Sequence, residues 1–430
     1  MNNIRIGVCG NVDAGKSTFI GVLCNDLLDD GNGLARSKIL KTLHEKTTGR
    51  TSCVSFNYLH FEDRSCTLVD LAGHEKYLKT TLYGITGSEL HYGIVIIGAN
   101  MGVSRMTKEH LGILLFLRIP IIIILTKIDM VPEDVYEKTK KDIIKILKSP
   151  IFRAIPKLIT NNEQFDEYIN NIKGVIPIIP VSSKTGQGID DVKKIIKLLP
   201  IENNIDNLTD HPIVTNINNN NEMITNKKNI NGVVVYIEST YNVKGIGIVI
   251  TGYIMGGNID NNLIVNQSIW IGPVNINASN QFIECKIRSM HNTKRQNINT
   301  TYAGDHVIMA IRSDNKFKLE KKHFYKGIVC LSRLDDLNYM VNKFKVQLKI
   351  LNNKVVIKPN YNPVIHCHTV RQTAIIEDVL NNEKKGITGE NIPVILKMTK
   401  HPVFVNVGDI IYLRDGMTKG VGIVTELIYD

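Results

Sequence analysis

No two of the seven cysteines (Cys9, Cys24, Cys53, Cys66, Cys285, Cys330, Cys367) form a C-x-x-C pair, and most lie inside apolar runs. That usage reads as reduced, buried thiols in a reducing compartment, not as a disulfide framework. The N-terminus has no signal-peptide pattern, because a glycine-rich turn begins at residue 10. Long apolar runs are missing as well. The longest, "IPIIIIL" at 119–125, is far short of the roughly 20 residues a spanning helix needs. It fits a buried parallel strand. No membrane partner is expected, and the cytoplasm is the expected location. The stretch 201–230 is poor in bulky apolar residues and rich in asparagine, so it reads as a linker.

A chain of 430 residues exceeds one ordinary core and predicts about three domains. Residues 1–200 alternate apolar strands ("SCTLVDLAG", "HYGIVIIGAN", "IPIIIILTKID", "GVIPIIPVSS") with helical patterns. This predicts an α/β domain with a mostly parallel sheet and helices on both faces. From Gly232 the texture is short alternating strands with Gly, Asn and Asp turns. It predicts two β-barrels, 231–326 and 327–430. The net charge of +11 suits an RNA partner, and suits a solvated basic surface equally well.

"GNVDAGKST" has the spacing G-x-x-x-x-G-K-[ST]. Gly10 and Gly15 allow the backbone of Asn11, Val12, Asp13 and Ala14 to curl its N–H groups around phosphate oxygens. Lys16 then reaches the outer phosphates and Ser17 offers a hydroxyl to Mg²⁺. The helix opening at Ser17 and Thr18 adds its positive end. The turn says nucleoside triphosphate and leaves the base open. In "DLAGHEKY", Asp70 at a strand end can hold Mg²⁺ through water, and the Gly73 N–H can sense the terminal phosphate. In "LTKID", which opens with Leu125 and Thr126, Lys127 can lie over a purine ring. Asp129 can accept from N1–H and the exocyclic amine, a donor pair only guanine presents. In "VSSKTG", a backbone N–H near Ser182, Ser183 and Lys184 can read the guanine O6. In "GRTSC", Thr51 can reach Mg²⁺ and the terminal phosphate.

With these motifs in this order, the chain resembles the translational GTPases of the elongation factor Tu superfamily over nearly its full length. "KGIGIVITGYIMGGNI" resembles the opening of that family's second domain. "IHCHTVRQTAII" and "GDIIYLRDGMTKGVGIV" resemble its third. Within the superfamily, "GLARSKILKTLHEKTTGRTSCVS", "LKSPIFRAIPKLIT" and "VRQTAII" are similar to the GTP-binding protein one and two branch.

The resemblance implies a magnesium-dependent, GTP-hydrolysing switch in translation. Lys16, Ser17, Thr51 and Asp70 would hold Mg²⁺ and the phosphates. His74, after Gly73, would position the attacking water, and Asp13 could hold a monovalent cation. It further implies the ribosome and tRNA or another RNA as partners, an exchange factor, a monomer, and no DNA. An RNA-surveillance or ribosome-rescue adaptor using GTP as a conformational lock shares the same motifs. Ala14 and Met417 depart from elongation factor Tu, as does Arg50 before Thr51. Neighbours in an extended segment face opposite ways, so Arg50 is expected to face outward, toward RNA phosphate. Basic residues gather at 286–296 and 312–326, either as an RNA edge or as a solvated face. His366 and His368 in "HCH" are expected on one strand face, with no second ligand pair nearby to make a metal site.

Overall fold

The computed structural model describes residues 2–40, 54–77, 81, 84–85, 88, 90–117, 119–149, 154–160, 162–170, 175–200, 230–256, 262–276, 279–313, 319–350, 356–415 and 417–429. Its contacts divide the chain into two compact units, Met1–Asn203 and Asn204–Asp430.

The first unit is built on β1 (Asn2–Gly10), β2 (Ser55–His60), β3 (Arg64–Asp70), β4 (Tyr92–Gly98), β5 (Ile121–Thr126), β6 (Ile155–Leu158) and β7 (Val175–Val181). They form one sheet in the order β2-β3-β1-β4-β5-β7-β6. Only the β2–β3 pairing is antiparallel. The run of isoleucines near 121 is the central strand β5, buried along its whole length. Strand alternation sends these residues to opposite faces. Ile94, Ile96, Ile122 and Ile124 pack with Phe19 and Leu23 of α1 (Lys16–Asn25) and with Ile195 and Ile196 of the helix Ile189–Leu198. Val95, Ile97, Ile121 and Ile123 pack with Leu111 and Leu114 of the helix Arg105–Phe116 and with Ile143 and Leu147 of Glu133–Leu147. A sheet covered on both faces is the expected α/β architecture. The chain reverses sides of β1 between β3 and β4, which opens a crevice at the carboxyl ends of β1 and β3.

The second unit holds two closed barrels of six strands each. The first runs in sheet order through Ser268–Ile276, Val329–Leu331, Val233–Val243, Gly247–Gly256, His306–Ser313 and Ser279–His291, and the first and last of these pair to close it. The second joins Lys343–Ile350, Asn391–Met398, Val370–Val379, Val364–Cys367, Ile410–Asp415 and Met417–Ile428. Lys343–Ile350 shows the period-two rule directly: Phe344, Val346, Leu348 and Ile350 point into the core and the lysines between them point out.

Val329–Leu331 pairs with strands 268–276 and 233–243. The first barrel therefore extends past the expected boundary at 326, because its closure depends on a strand that follows it. Of the expected linker at 201–230, residues 201–229 lie outside the described residues, and Ile230 is buried with Val234 and Leu331 of the first barrel. Among the described residues no helix is long and apolar enough to cross a membrane. No disulfide joins Cys9, Cys24, Cys66, Cys285, Cys330 or Cys367; Cys24 is half-buried and the other five are buried. Cys53 lies outside the described residues.

Candidate nucleotide site

The turn between β1 and α1 supplies one end of a cavity of about 340 Å³. Gly10 (φ 147°) and Gly15 (φ 91°) take backbone angles closed to most L residues, and Asp13 tolerates φ 58°. A Cβ at Gly10 would lie 2.3 Å from the Ile96 carbonyl oxygen, so the second strand neighbour enforces glycine there. Gly15 begins α1 with no side-chain cap, and the first turn carries no acidic residue. The first N–H groups of the helix are thus left for an anion.

Lys16 is buried beside them. Its Nζ donates to the carbonyl oxygens of Asn11 (2.7 Å) and Gly10 (3.2 Å). Burial lowers its affinity for the proton, and the Asp70 carboxylate partly offsets that. Nζ also lies against Gly73, where a Cβ would come within 2.4 Å. The phosphate-loop lysine and the turn after β3 therefore meet at one point. The Ser17 hydroxyl donates to Asp70 Oδ2 at 3.3 Å. Two hard oxygen donors side by side at the phosphate end suit Mg²⁺. Thr51, the third expected metal ligand, and Arg50 lie outside the described residues.

The opposite end of the cavity comes from β5 and β7. Lys127, with φ 60°, turns the chain so that Thr126, Lys127 and the exposed Asp129 line the wall. Ser183 and Lys184 complete it. Ser182 does not line the cavity. It is buried, and its hydroxyl accepts from the N–H groups of Thr185 (3.0 Å) and Lys184 (3.3 Å), so it shapes the loop instead. Val12, Asp13, Gly15, Lys16, Ser17, Thr18, Gly73 and His74 line the phosphate end. Gly10, Asn11 and Asp70 do not line the cavity and meet it through Lys16 and Ser17, and Ala14, also outside the lining, accepts the Thr126 hydroxyl with its carbonyl. The exposed His74 turns its Nδ1 to accept the Lys76 N–H at 3.0 Å, and its ring meets Tyr77 edge-on at 6.0 Å.

Sequence reasoning missed one wall. Asp29, Gly31, Gly33 and Arg36 line the cavity, as do Tyr77 and Met130. Asp29 accepts from the N–H groups of Gly31 and Ala35, and Asp30 accepts from those of Asn32 and Leu34. The Asp29 N–H bonds the Ser183 carbonyl at 2.9 Å, which joins this turn to the far loop. The string "DDGNG" announces the turn, but nothing local announces where it docks.

The model of the elongation factor Tu GTP-binding domain matches residues 1–215. This chain belongs to that family. The family's GTP-binding domain therefore accounts for the first unit, which holds the cavity. GTP-binding protein 1 of Xenopus laevis is 30% identical over 453 residues, covering 99% of this chain and 63% of its own length. The chain thus spans under two thirds of that relative. Two solved structures share the fold. Translation elongation factor SelB of Methanococcus maripaludis with the GTP analogue GppNHp has TM-score 0.66 and 20% identity, covering all of this chain and 80% of its own. The GTP-bound S. cerevisiae Ski7 GTPase-like domain has TM-score 0.68 and 16% identity, covering 98% and 97%.

Proposed function

We propose that this chain is a magnesium-dependent GTPase that switches between GTP and GDP forms in the service of translation, in the cytoplasm, with tRNA or another RNA as ligand. One observation carries the proposal. A single cavity holds an uncapped helix N-terminus with Lys16 at one end and the carboxylate of Asp129 at the other. A triphosphate needs the first of those ends and a guanine the second.

In this reading Lys16 moves from the carbonyls of Gly10 and Asn11 onto the phosphates, whose charge raises its proton affinity again. The α1 N–H groups and Gly73 hold the terminal phosphoryl group. Ser17 and Asp70, the latter through water, would hold Mg²⁺ together with Thr51. Bound there, the ion neutralises charge on the β- and γ-oxygens. His74 keeps Nε2 for the attacking water because Nδ1 is engaged by Lys76. Catalysis here is mostly positioning, so hydrolysis by the isolated chain is slow and waits for a partner. Asp13, exposed at the cavity edge, is the residue for a monovalent cation. Lys286, Arg288, Lys294, Arg295, Arg312, Lys321 and Lys322 are all exposed on the first barrel's segments, which supports an RNA-facing edge. The chain is expected to work as a monomer and to use an exchange factor for GDP release.

The test adds purified ribosomes, and separately aminoacyl-tRNA, to the GTP-loaded protein. Stimulated hydrolysis with ribosomes and salt-sensitive tRNA binding are expected. RNA or protein capture with no change in hydrolysis would replace this reading with that of an adaptor locked by GTP. No response to either would remove translation from the proposal.

A further inference from the structure

We propose that Cys367, His368 and Asp409, at one end of the second barrel, form a zinc site. The Cys367 sulfur, a His368 ring nitrogen and an Asp409 carboxylate oxygen all lie within 4.8 Å of one another. Cys367 is fully buried, and the His368 and Asp409 side chains keep 14% and 12% of their surface exposed. This is a mixed S, N, O donor set of the kind zinc takes with three protein ligands and a fourth position for water. A tetrahedron with bonds of about 2.0–2.3 Å separates its ligands by roughly 3.3–3.8 Å. The present triangle, with no side above 4.8 Å, is slightly wider than that at most.

The fold explains how residues 41 positions apart meet. Strand Val364–Cys367 runs antiparallel to Ile410–Asp415, with His366 opposite Tyr412. Continuing that register brings Ile410, and Asp409 before it, beside the turn that follows Cys367. Strand alternation alone would send Cys367 and His368 to opposite faces. His368 instead occupies a two-residue turn between Cys367 and Val370 with φ 46°, and this redirects its ring to the Cys367 side. The same turn removes His368 from the strand face of His366, so the expected His366–His368 pair does not form.

Two further contacts orient the donors. The Asn406 N–H donates to Asp409 Oδ2 at 2.8 Å. The Tyr236 ring of the first barrel stacks on the His368 imidazole, with centroids 4.5 Å apart and planes 20° from parallel. Metal ligands are characteristically held by such outer contacts. His368 Nε2 stands 3.0 Å from Asp409 Oδ2. Zinc would take the place of a proton between those two atoms and bind Cys367 as thiolate, releasing its proton to solvent. Because Tyr236 rests on a ligand, the ion would also stiffen the seam between the barrels.

The full chain, purified without a polyhistidine tag, is assayed for zinc by elemental analysis, stripped with a chelator, and titrated with Co²⁺. One equivalent of zinc is expected, and Co²⁺ should give tetrahedral d–d bands with a thiolate-to-metal charge-transfer band. Cys367→Ser should lose the charge-transfer band, and Asp409→Asn should weaken zinc binding at least tenfold, both with unaltered GTP affinity as the check on folding. The proposal is overturned if stripped wild-type protein gives no charge-transfer band with Co²⁺, or if that band persists in Cys367→Ser. The wild-type titration decides the matter even where a variant fails to fold.

Discussion

The Thr126 hydroxyl donates a 2.6 Å hydrogen bond to the carbonyl of Ala14, across 112 positions of sequence. The Ile97 carbonyl, at 3.3 Å, is the poorer acceptor for the same proton. One buried hydroxyl at the end of β5 thereby ties the Lys127–Asp129 turn to the glycine-rich turn after β1. The strand that ends in Thr126 also begins the turn of Lys127 and Asp129, so the hydroxyl joins the two ends of the cavity directly.

Thr126→Val keeps the side-chain shape and removes the donor, leaving a buried carbonyl without its bond. That costs about 1–3 kcal/mol. Chemical denaturation should show a loss of this size, and GTP affinity measured by titration calorimetry should fall about tenfold. Unchanged affinity in a destabilised protein would mean that the tether supports the fold and leaves the loop's geometry alone.

Asp129→Asn converts two acceptor positions into one acceptor and one donor. GTP binding should weaken by about 10²-fold or more, while XTP, which carries a carbonyl in place of the exocyclic amine, becomes the preferred nucleotide. Competition between the two nucleotides on the variant reads this directly. A variant that still prefers GTP would remove Asp129 from base recognition.

His74→Ala should leave GTP affinity within a few-fold of wild type, since the side chain is exposed and its Nδ1 is bonded within its own turn. Partner-stimulated hydrolysis should fall by about 10²-fold or more, because placing water is a transition-state task. Rapid-quench single-turnover assays separate the two quantities. Lost binding with normal turnover per bound GTP would contradict the assignment.

His110 is fully buried on the helix Arg105–Phe116. Burial, helped by the nearby Lys16 charge, pushes its pKa down to about 3. His91 is held to about 4 by burial and by the charge of Arg5, and its Nδ1 accepts the Arg5 N–H at 2.9 Å. Both values lie below that of the unfolded chain, near 6.5. The unfolded state therefore binds more protons in acid. Stability is full above about pH 6.5 and is lost as pH falls from there toward 4. Below pH 6 each histidine should cost about 1 kcal/mol per pH unit. Urea denaturation at pH 7 and pH 5, before most carboxylates titrate, should show the loss, and His110→Gln should reduce it. A flat profile between these values would show that the histidines titrate normally in the folded protein.

Most of the residues that line the candidate site were legible because their pattern is local. Gly10, Gly15, Lys16 and Ser17 are one turn, and the turn type dictates the residues. Asp70 and Thr126 end apolar strands and Ser182 follows one, and a parallel sheet brings strand ends together. The unbroken apolar runs of β4 and β5 and the alternation in Lys343–Ile350 likewise specify strand type from the sequence by itself, the first buried on both faces and the second on one. Register between distant strands was not legible. Only the tertiary structure placed the Asp29–Arg36 turn on the cavity, gave Val329–Leu331 to the first barrel, and set Asp409 beside Cys367 and His368. These depend on hydrogen-bond ladders and packing among residues tens to hundreds of positions apart, and no local pattern encodes which of many compatible edges a strand or turn will meet.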